Sequence, residues 1–468
     1  MRDIAPSLRA VLFAVCVSQF FLPFMLAGVN AVLPILGEDL GLSARQLSLV
    51  STIYTLSLAI AQLSSGRIGD IWGRRRLFLT GLGIFSLCAA MLGFVQHFEM
   101  LVCIRFIQGL GAALFNASGL AILMTLAPVD KRSTILGISA AAVYAGISCG
   151  PALAGLLAGA FGWRWLFWGT SLSAVAAWLL MHHNLQKEWR QGQGEPFDWP
   201  GFVCYGGFMA CLTLGASSLQ YAFWAPWALA GALCLLIGYI RLEWHSAFPL
   251  LELRLFTQNR VFALASLAAF VNYASSFGVS FYFSMYLQSL RGLSVNDAGL
   301  FLAVQAVVQM LAAPPAGRLA DRYGAGLIST LGIGLCGVGI ALGVLIEPDT
   351  PLALLIGVQI LLGAGIGLFA TPNTTLILES AGTRYLGQAS GVIGTVRNGG
   401  MLVNMIIVTT TLSFFMGQAP LRPENISAFM ASMRLDFCIF AGLNLLAIGC
   451  AFGRQRHSRN KTTGADGQ

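Results

Sequence analysis

Two arginines lie inside long apolar stretches of this sequence, where a charged side chain has few ordinary structural uses. Arg105 stands in "LVCIRFIQGLGAA" (101–113) and Arg397 in "GTVRNGG" (394–400). An arginine at the centre of a membrane helix costs about 2.5 kcal/mol or more, so a functional role is the default expectation. Each guanidinium could hold a polar or anionic group of a ligand. The structural alternative is a hydrogen bond to main-chain carbonyls, which for Arg105 would belong to the glycine-rich stretch 146–155.

A short charged motif occurs twice in the chain. "GRIGDIWGRRR" (66–76) and "GRLADRYG" (317–324) share the pattern Gly-Arg-x-x-Asp-x-x-Gly. The glycines allow a tight turn and close helix approach. Asp70 and Asp321 are placed to pair with an arginine or to cap a neighbouring helix. The alternative is a basic cluster that only keeps its loop on the inner side of a membrane, but the shared Gly and Asp spacing favours a structural role.

The composition indicates that membrane helices must hold these residues. Of 468 residues, 57% are hydrophobic and 10% charged, and the mean hydropathy is +0.76. Such a chain cannot cover a soluble domain with charge. The net charge of +8 does not indicate nucleic-acid binding, because the basic residues are spread over short loops. The ten cysteines lack metal-ligand spacing, and "GISCG" (146–150) lacks the context of a hydrolase nucleophile. We therefore expect no metal, no cofactor and no enzyme activity.

Apolar segments of about 20 residues each predict fourteen membrane helices. If the amino terminus is inside, internal segments carry twenty Lys and Arg residues and external loops carry five. The positive-inside rule then predicts that both termini are cytoplasmic. The predicted division is an N-terminal six-helix bundle (1–183), cytoplasmic linkers with an inserted two-helix hairpin (184–258), a C-terminal six-helix bundle (259–454) and a cytoplasmic tail (455–468).

Both copies of the charged motif fall between the second and third helices of a six-helix bundle, so the motif repeats because the bundle repeats. Duplicated bundles around a midplane cavity are the architecture of secondary transporters. Polar, aromatic and methionine side chains within the spans are the expected lining of that cavity. They are Gln19, Met25, Asn30, Tyr54, Asn116, Tyr144, Asn272, Tyr273, Gln305 and Gln309.

Several stretches, taken together and in order, resemble one family. They are the loop 66–76, "LVCIRFIQGLGAA" (101–113), "GISCGPALAG" (146–155), "GWRWLFW" (162–168), "GLFATPNTTLILES" (367–380) and "GQASGVIGTVRNGG" (387–400). They resemble the major facilitator superfamily, and the six-plus-two-plus-six layout is similar to its 14-span drug:proton antiporter branch. The resemblance implies an all-α integral membrane protein with two bundles of the major facilitator type. We expect residues of these stretches and of the second motif copy (317–324) to act in transport and coupling: Asp70, Arg105, Gly146, Gly150, Pro151, Asp321 and Arg397. The Gly150–Pro151 pair is expected to set the packing between spans two and five.

The sequence departs from this branch in its first span. "FMLAGVNAVLP" (24–34) has Met25 where the branch carries an aspartate that is linked to cationic substrates and protons. We expect no acid deep within any span, because the last span is predicted at 434–453 and leaves Asp436 at its external end. Protons would then bind at a mouth carboxylate, with Asp39 or Asp436 outside and Asp70 inside as candidates.

These observations predict a secondary active transporter that exports amphipathic small molecules in exchange for protons. One alternative is a specific exporter of a neutral or anionic metabolite. An alternative from another class is a non-transporting membrane scaffold or sensor, which would need neither Arg105 nor the polar residues of the spans. The expected setting is a bacterial inner membrane, with the chain acting as a monomer and with no nucleic-acid partner.

Overall fold

The computed structural model describes residues 6–42, 44–218, 222–293, 295–416 and 425–465, and every regular element in these ranges is a helix. Among the α-helices, fourteen are long and one, α9, has five residues. The helices are α1 (Pro6–Leu40), α2 (Ala44–Trp72), α3 (Arg74–Leu92), α4 (Phe98–Leu126), α5 (Arg132–Phe161), α6 (Arg164–Asn184), α7 (Trp199–Ser218), α8 (Ala225–His245), α9 (Arg254–Gln258), α10 (Arg260–Met285), α11 (Val295–Tyr323), α12 (Ala325–Val344), α13 (Leu352–Ala381), α14 (Leu386–Met416) and α15 (Ile426–Ala465).

The fourteen long helices agree with the predicted membrane spans. Thirteen helices of the described chain are long and apolar enough to cross a bilayer. The remaining long helix is α6, with 21 residues. A helix satisfies its backbone hydrogen bonds internally, which is why apolar segments of this length adopt it in lipid. The predicted all-α membrane fold is confirmed.

The helices form two compact units. The first contains Met1–Ala210, Leu235–Leu253 and Ala381–Thr395, and the second contains Cys211–Cys234, Arg254–Ser380 and Val396–Gln468. In the first unit, α1 packs against α5 and α6, α2 against α4, and α3 against α4 and α6. In the second unit, α15 packs against α10 and α12, and α11 packs against α12.

In each unit, a reciprocal pair of glycines lies where two consecutive helices touch through their backbones. In the first unit, a Cβ on Gly81 of α3 would lie 2.7 Å from the carbonyl oxygen of Gly111 on α4, and a Cβ on Gly111 would lie 2.9 Å from the oxygen of Gly81. In the second unit, Gly332 of α12 and Gly365 of α13 show the same two distances, 2.7 and 2.9 Å. Small residues permit such close helix approach in membranes. The internal repeat seen in the charged motif therefore extends to the helix packing.

Candidate functional site

Arg105 is completely buried on α4 in the first unit. Its Nη1 donates to Oε1 of Gln108 at 2.9 Å, and its Cζ lies 4.2 Å from the ring centre of Tyr54 on α2. Nε and Nη2 of Arg105 have no hydrogen-bond partner among the described residues. The carbonyls of α5, which were the structural alternative, accept no hydrogen bond from it in the described part of the chain. A buried cation therefore keeps two nitrogen atoms that a ligand or water could satisfy.

Buried amide groups of the first unit also have nitrogen atoms without a hydrogen-bond partner among the described residues. Oε1 of Gln62 on α2 accepts a hydrogen bond of 3.2 Å from Nδ2 of Asn116 on α4. Nε2 of Gln62, Gln19 and Gln108 has no partner within the described ranges, although all three side chains are buried. Buried polar atoms without a partner are rare in native proteins, and each needs an explanation such as a water or a ligand. The interior of this unit thus contains several hydrogen-bond donors that a polar molecule could satisfy.

Three further predicted cavity residues of the first unit lie in different surroundings. Met25 is completely buried and accepts a hydrogen bond of 3.2 Å at Sδ from the Thr170 hydroxyl of α6. Tyr144 on α5 is 9% exposed. Asn30 is exposed, and its Oδ1 accepts a hydrogen bond from the Ser51 hydroxyl of α2. Met25 thus makes a polar contact inside the unit, whereas Asn30 lies at the exposed surface of α1.

The glycines of α5 bring it against α1. A Cβ on Gly146 would lie 2.3 Å from the carbonyl oxygen of Phe20, and one on Gly150 would lie 3.0 Å from the Cβ of Ala27. Both neighbours belong to α1, so the prediction that Gly150 and Pro151 pack span five against span two is wrong. The partner is span one, because α1 offers small side chains at the level where the α5 glycines remove steric obstruction.

The first copy of the charged motif forms a buried ion pair at the junction of α2 and α3. Nη2 of Arg74 lies 2.9 Å from Oδ1 of Asp70, and both side chains are 1% exposed. Nη1 of Arg74 donates to the Thr125 hydroxyl of α4 at 2.9 Å, and Nη2 also donates to the carbonyl oxygen of Thr383 at 3.3 Å. The arginine therefore joins three separate parts of the first unit, as a planar guanidinium with several fixed donors can do.

The segment that follows α6 is fastened to the same junction. Oε1 and Oε2 of Glu188 accept hydrogen bonds from the backbone N–H groups of Arg75 at 2.9 Å and of Arg76 at 3.1 Å, in the first turn of α3. A carboxylate at this position satisfies free N–H groups and complements the helix dipole. Glu195 forms an ion pair of 2.6 Å with Arg67 of the motif. Neither glutamate was predicted from the sequence as a site residue, although two acids in a segment close to an arginine-rich loop were a usable signal.

The second copy of the motif has the same backbone form as the first. Gly73 has φ +116° at the start of α3, and Gly324 has φ +92° at the start of α12. Only glycine adopts such angles readily, so the repeated glycine encodes the repeated turn. Asp321 lies in the last turn of α11 and is half-buried.

In the second unit, Asn272 of α10 is completely buried, and neither its Oδ1 nor its Nδ2 has a hydrogen-bond partner among the described residues. The next residue, Tyr273, lies against α14, where a Cβ on Gly400 would be 3.0 Å from its Cβ. Arg397 is half-buried on α14, close enough for its charge to act on Tyr273. The second unit thus also places a cation and unused amide atoms near the contact of two helices.

Gln305 and Gln309 lie on one face of α11, as their spacing requires. They are 8% and 7% exposed. Oε1 of Gln305 accepts a hydrogen bond of 3.1 Å from the Ser280 hydroxyl of α10. The backbone at both glutamines lies close to α13, because a Cβ on Gly363 would be 2.7 Å from the carbonyl oxygen of Gln305, and one on Gly367 would be 3.3 Å from that of Gln309.

The expectation that no acid lies deep within a span is wrong for Asp436. The last helix begins at Ile426, eight residues before the predicted boundary, so Asp436 follows more than two helical turns and is completely buried. The boundary was misplaced because Arg434 interrupts the apolar run. A single arginine does not end a helix, and here its side chain is exposed. Asp39, the other external candidate, pairs with Arg164 at 2.8 Å and is partly exposed.

The family of the chain follows from this fold and from comparison with known proteins. The family model of the Major Facilitator Superfamily matches residues 15–405 and again residues 265–467. The chain belongs to the Major Facilitator Superfamily and is a multi-pass membrane transporter.

Curated relatives match most of the chain at similar identity. The riboflavin transporter RibZ of Clostridioides difficile is 27% identical over 87% of this chain and 88% of its own length. The multidrug efflux pump LfrA of Mycolicibacterium smegmatis is 28% identical over 90% of this chain and 86% of its own length. The cephamycin export protein CmcT of Amycolatopsis lactamdurans is 29% identical over 85% of this chain and 83% of its own length.

Among solved structures, that of the human organic anion transporter MFSD10 (TETRAN) is similar to this fold. Its TM-score is 0.65, its sequence identity is 15%, and the match covers 95% of this chain and 99% of that chain. The proton:xylose symporter XylE is equally similar, with a TM-score of 0.65 and 13% identity over 94% of each chain. At this identity the likeness concerns the fold alone.

Proposed function

We propose that this transporter exports amphipathic small molecules from a bacterial cytoplasm in exchange for protons. The observation that carries the proposal is Arg105, a completely buried cation with two nitrogens unused among the described residues and an aromatic ring against its guanidinium face. Such a group attracts anions and polar oxygens, and in a low-dielectric interior its field is only weakly screened. Relatives that are named as efflux pumps and export proteins support export as the direction.

The preferred substrates are neutral, zwitterionic or anionic. Met25 stands where an aspartate would balance a cationic substrate, and its Sδ is engaged by Thr170. A monocationic molecule would meet Arg105 without a carboxylate bonded to that guanidinium among the described residues, since the buried Asp70 is paired with Arg74. Riboflavin, after which one relative is named, is an uncharged and strongly amphipathic molecule that fits this chemistry.

The proposed mechanism uses the bundles 1–183 and 259–454 as the two moving parts, with 184–258 as linkers and hairpin and 455–468 as a tail. Alternating access in such repeats is largely a rocking of one bundle against the other around the binding site. Both termini are cytoplasmic in this proposal, which rests on the charge asymmetry of the loops. The chain is proposed to work as a monomer in the inner membrane.

Inverted membrane vesicles with an imposed pH gradient provide the experiment. Riboflavin, an anionic fluorescein derivative and the monocationic dye ethidium are added in turn, and proton release is followed with a pH-sensitive dye. We expect release with the first two and little with ethidium. Arg105→Ala should abolish the response, because the guanidinium is lost, while Arg105→Lys should retain part of it through the remaining charge. Strong release with ethidium that persists in Arg105→Ala would contradict the proposal.

The second candidate is a specific exporter of one neutral or anionic metabolite. The buried amides Gln19, Gln62 and Gln108 of the first unit favour it, since several fixed hydrogen-bonding groups select one shape more readily than an apolar wall does. Release with one compound only, among a panel of structurally unrelated amphipaths, would establish this alternative.

A further inference from the structure

A cluster of hydroxyl groups surrounds the buried carboxylate of Asp436 in the second unit. Oδ2 of Asp436 accepts a hydrogen bond of 2.6 Å from the Tyr282 hydroxyl of α10 and one of 2.8 Å from the Thr411 hydroxyl of α14. Oδ1 has no hydrogen-bond partner among the described residues. Oδ2 thus accepts two hydrogen bonds, while Oδ1 accepts none from the described residues.

No cation balances this carboxylate in the described part of the chain. Arg434, two positions earlier on α15, has an exposed side chain. The elements packed around it contribute Tyr282 from α10, Thr411 from α14 and, from α12, the backbone of Gly343 against Phe437. The rings of Phe429 and Phe437 lie 5.8 and 6.2 Å from that of Tyr282 and form an apolar wall on that side. An unpaired ionised carboxylate in such surroundings is costly.

Both hydroxyl donors have a second acceptor at hydrogen-bond distance. Oγ1 of Thr411 lies 3.1 Å from the carbonyl oxygen of Ile407 and 3.0 Å from that of Val408. The hydroxyl oxygen of Tyr282 lies 2.9 Å from Oγ of Ser432. A hydroxyl carries one proton and two acceptor sites, so each of these groups can turn its proton away from the carboxylate and accept instead.

The same heavy-atom arrangement therefore suits two protonation states. When Asp436 is ionised, Tyr282 and Thr411 both donate to Oδ2. When a hydronium ion gives a proton to Oδ2, one O–H bond of the hydronium breaks, water leaves, and an O–H bond forms on Oδ2. The new O–H donates to Oγ1 of Thr411, whose own proton turns to the carbonyl of Ile407 or Val408. No other covalent bond forms or breaks, and the site gains one proton and loses one negative charge.

We propose that Asp436, with Tyr282 and Thr411, is a proton-binding site inside the membrane, and that it takes the place of the carboxylate that the first span lacks. The proposal rests on the proposed proton-coupled export and names the group that binds the coupling proton. It replaces Asp39 and Asp70, since both of those form ion pairs with an arginine.

Infrared spectroscopy of the purified full-length protein measures proton binding directly. A protonated carboxylic acid has a carbonyl stretching band that an ionised carboxylate lacks, and the band shifts in heavy water. We expect such a band in the wild type at acidic pH and its loss as the pH rises. Because the other Asp and Glu side chains give similar bands, the Asp436 band is identified in the difference spectrum between the wild type and Asp436→Asn at each pH. Glu99→Gln, which removes an exposed acid in the first turn of α4, should retain that band. A difference spectrum without a carboxylic-acid band would overturn the proposal.

Two conservative variants test the same site with less risk of misfolding than Asp436→Asn. Tyr282→Phe and Thr411→Val each remove one hydroxyl and keep nearly the same volume, and each should move the midpoint of the band towards higher pH, because ionised Asp436 loses a donor. An unchanged midpoint in both variants would also overturn the proposal. Asp436→Glu should restore a titrating band.

Transport in vesicles separates this site from the proposed function. Asp436→Asn should lose proton release driven by riboflavin but keep exchange of labelled for unlabelled riboflavin, which needs no net proton movement. Undiminished proton release in Asp436→Asn would overturn the proton site and leave proton-coupled export standing. If the wild type shows the infrared band but no substrate-driven proton release, the proton site stands and the coupling in the proposed function is wrong.

Discussion

Asp70 and Arg74 form an ion pair that is almost completely removed from solvent, and neither is easily replaced alone. Asp70→Asn would leave the Arg74 guanidinium buried without its counter-charge, and such changes cost about 3–5 kcal/mol. We expect a clear decrease in the thermal unfolding temperature of the purified protein. Asp321→Asn is the matched control, because Asp321 holds the same position in the second motif copy and is only half-buried. An equal decrease in both variants would contradict the special role of burial at Asp70.

At the residue scale, the sequence indicates which polar groups are buried better than what they contact. Arg105 could be singled out because a cation in an apolar run is visible in any sequence. Its partner Gln108, three residues along the same helix, follows from helical spacing, but Tyr54 does not, since it lies on a separate helix that meets α4 only in the folded chain. Asp436 was misplaced because a hydropathy boundary was drawn at Arg434, whereas the helix follows backbone hydrogen bonding and continues to Ile426.

At the scale of the elements, the contact between α1 and α5 depends on the absence of side chains at Gly146 and Gly150. Gly150→Leu would push a branched side chain into Ala27, and overpacking of this kind costs about 1–3 kcal/mol. We expect the variant to insert into the membrane but to sustain no substrate gradient in whole cells. Gly155→Leu on the same helix is the control, because nothing lies within 4 Å of a Cβ there. Normal export by Gly150→Leu would remove the role of this contact.

The helices themselves were predictable, because length and hydropathy suffice when every backbone group must be paired inside the segment. Their neighbours were less so. Glycine spacing showed that α5 makes a close contact but not with which helix, since a helix face of small residues can pack against any other such face. The pairing with α1 depends on Ala27 and Gly28, which were read as part of a span motif rather than as a packing surface.

At the scale of the whole molecule, the topology of the chain is the first property to establish. A reporter that is active only outside the cytoplasm should be silent when fused after Gln468 and active when fused after Pro348, which lies between α12 and α13. The expectation follows from twenty basic residues on one side and five on the other. Activity at Gln468 with silence at Pro348 would invert the proposed orientation and, with it, the direction assigned to transport.

The duplication of the molecule was visible in the motif, and the structure extends it to atoms that no motif search would compare. The reciprocal contacts of Gly81 with Gly111 and of Gly332 with Gly365 repeat the same two distances. The chemistry of the two units differs nevertheless. The first carries an unpaired buried cation, Arg105, and the second carries the buried acid Asp436, so the repeat keeps its packing while its charges have diverged.

The attachment of Glu195 to Arg67 of α2 and of Glu188 to the first turn of α3 shortens the free segment that leads into α7. By sequence, fourteen residues separate Asn184 from Trp199, and a flexible chain of that length reaches roughly 20 Å on average. Because Glu195 is held by Arg67 and Glu188 by the first turn of α3, only residues 196–198 are left between the last fastening and Trp199. Three residues span about 10 Å at full extension. Helix α7 is therefore held within a short distance of Glu195. Replacing 185–195 by a glycine–serine sequence of the same length would remove both attachments and lengthen the free segment before α7 without adding a residue.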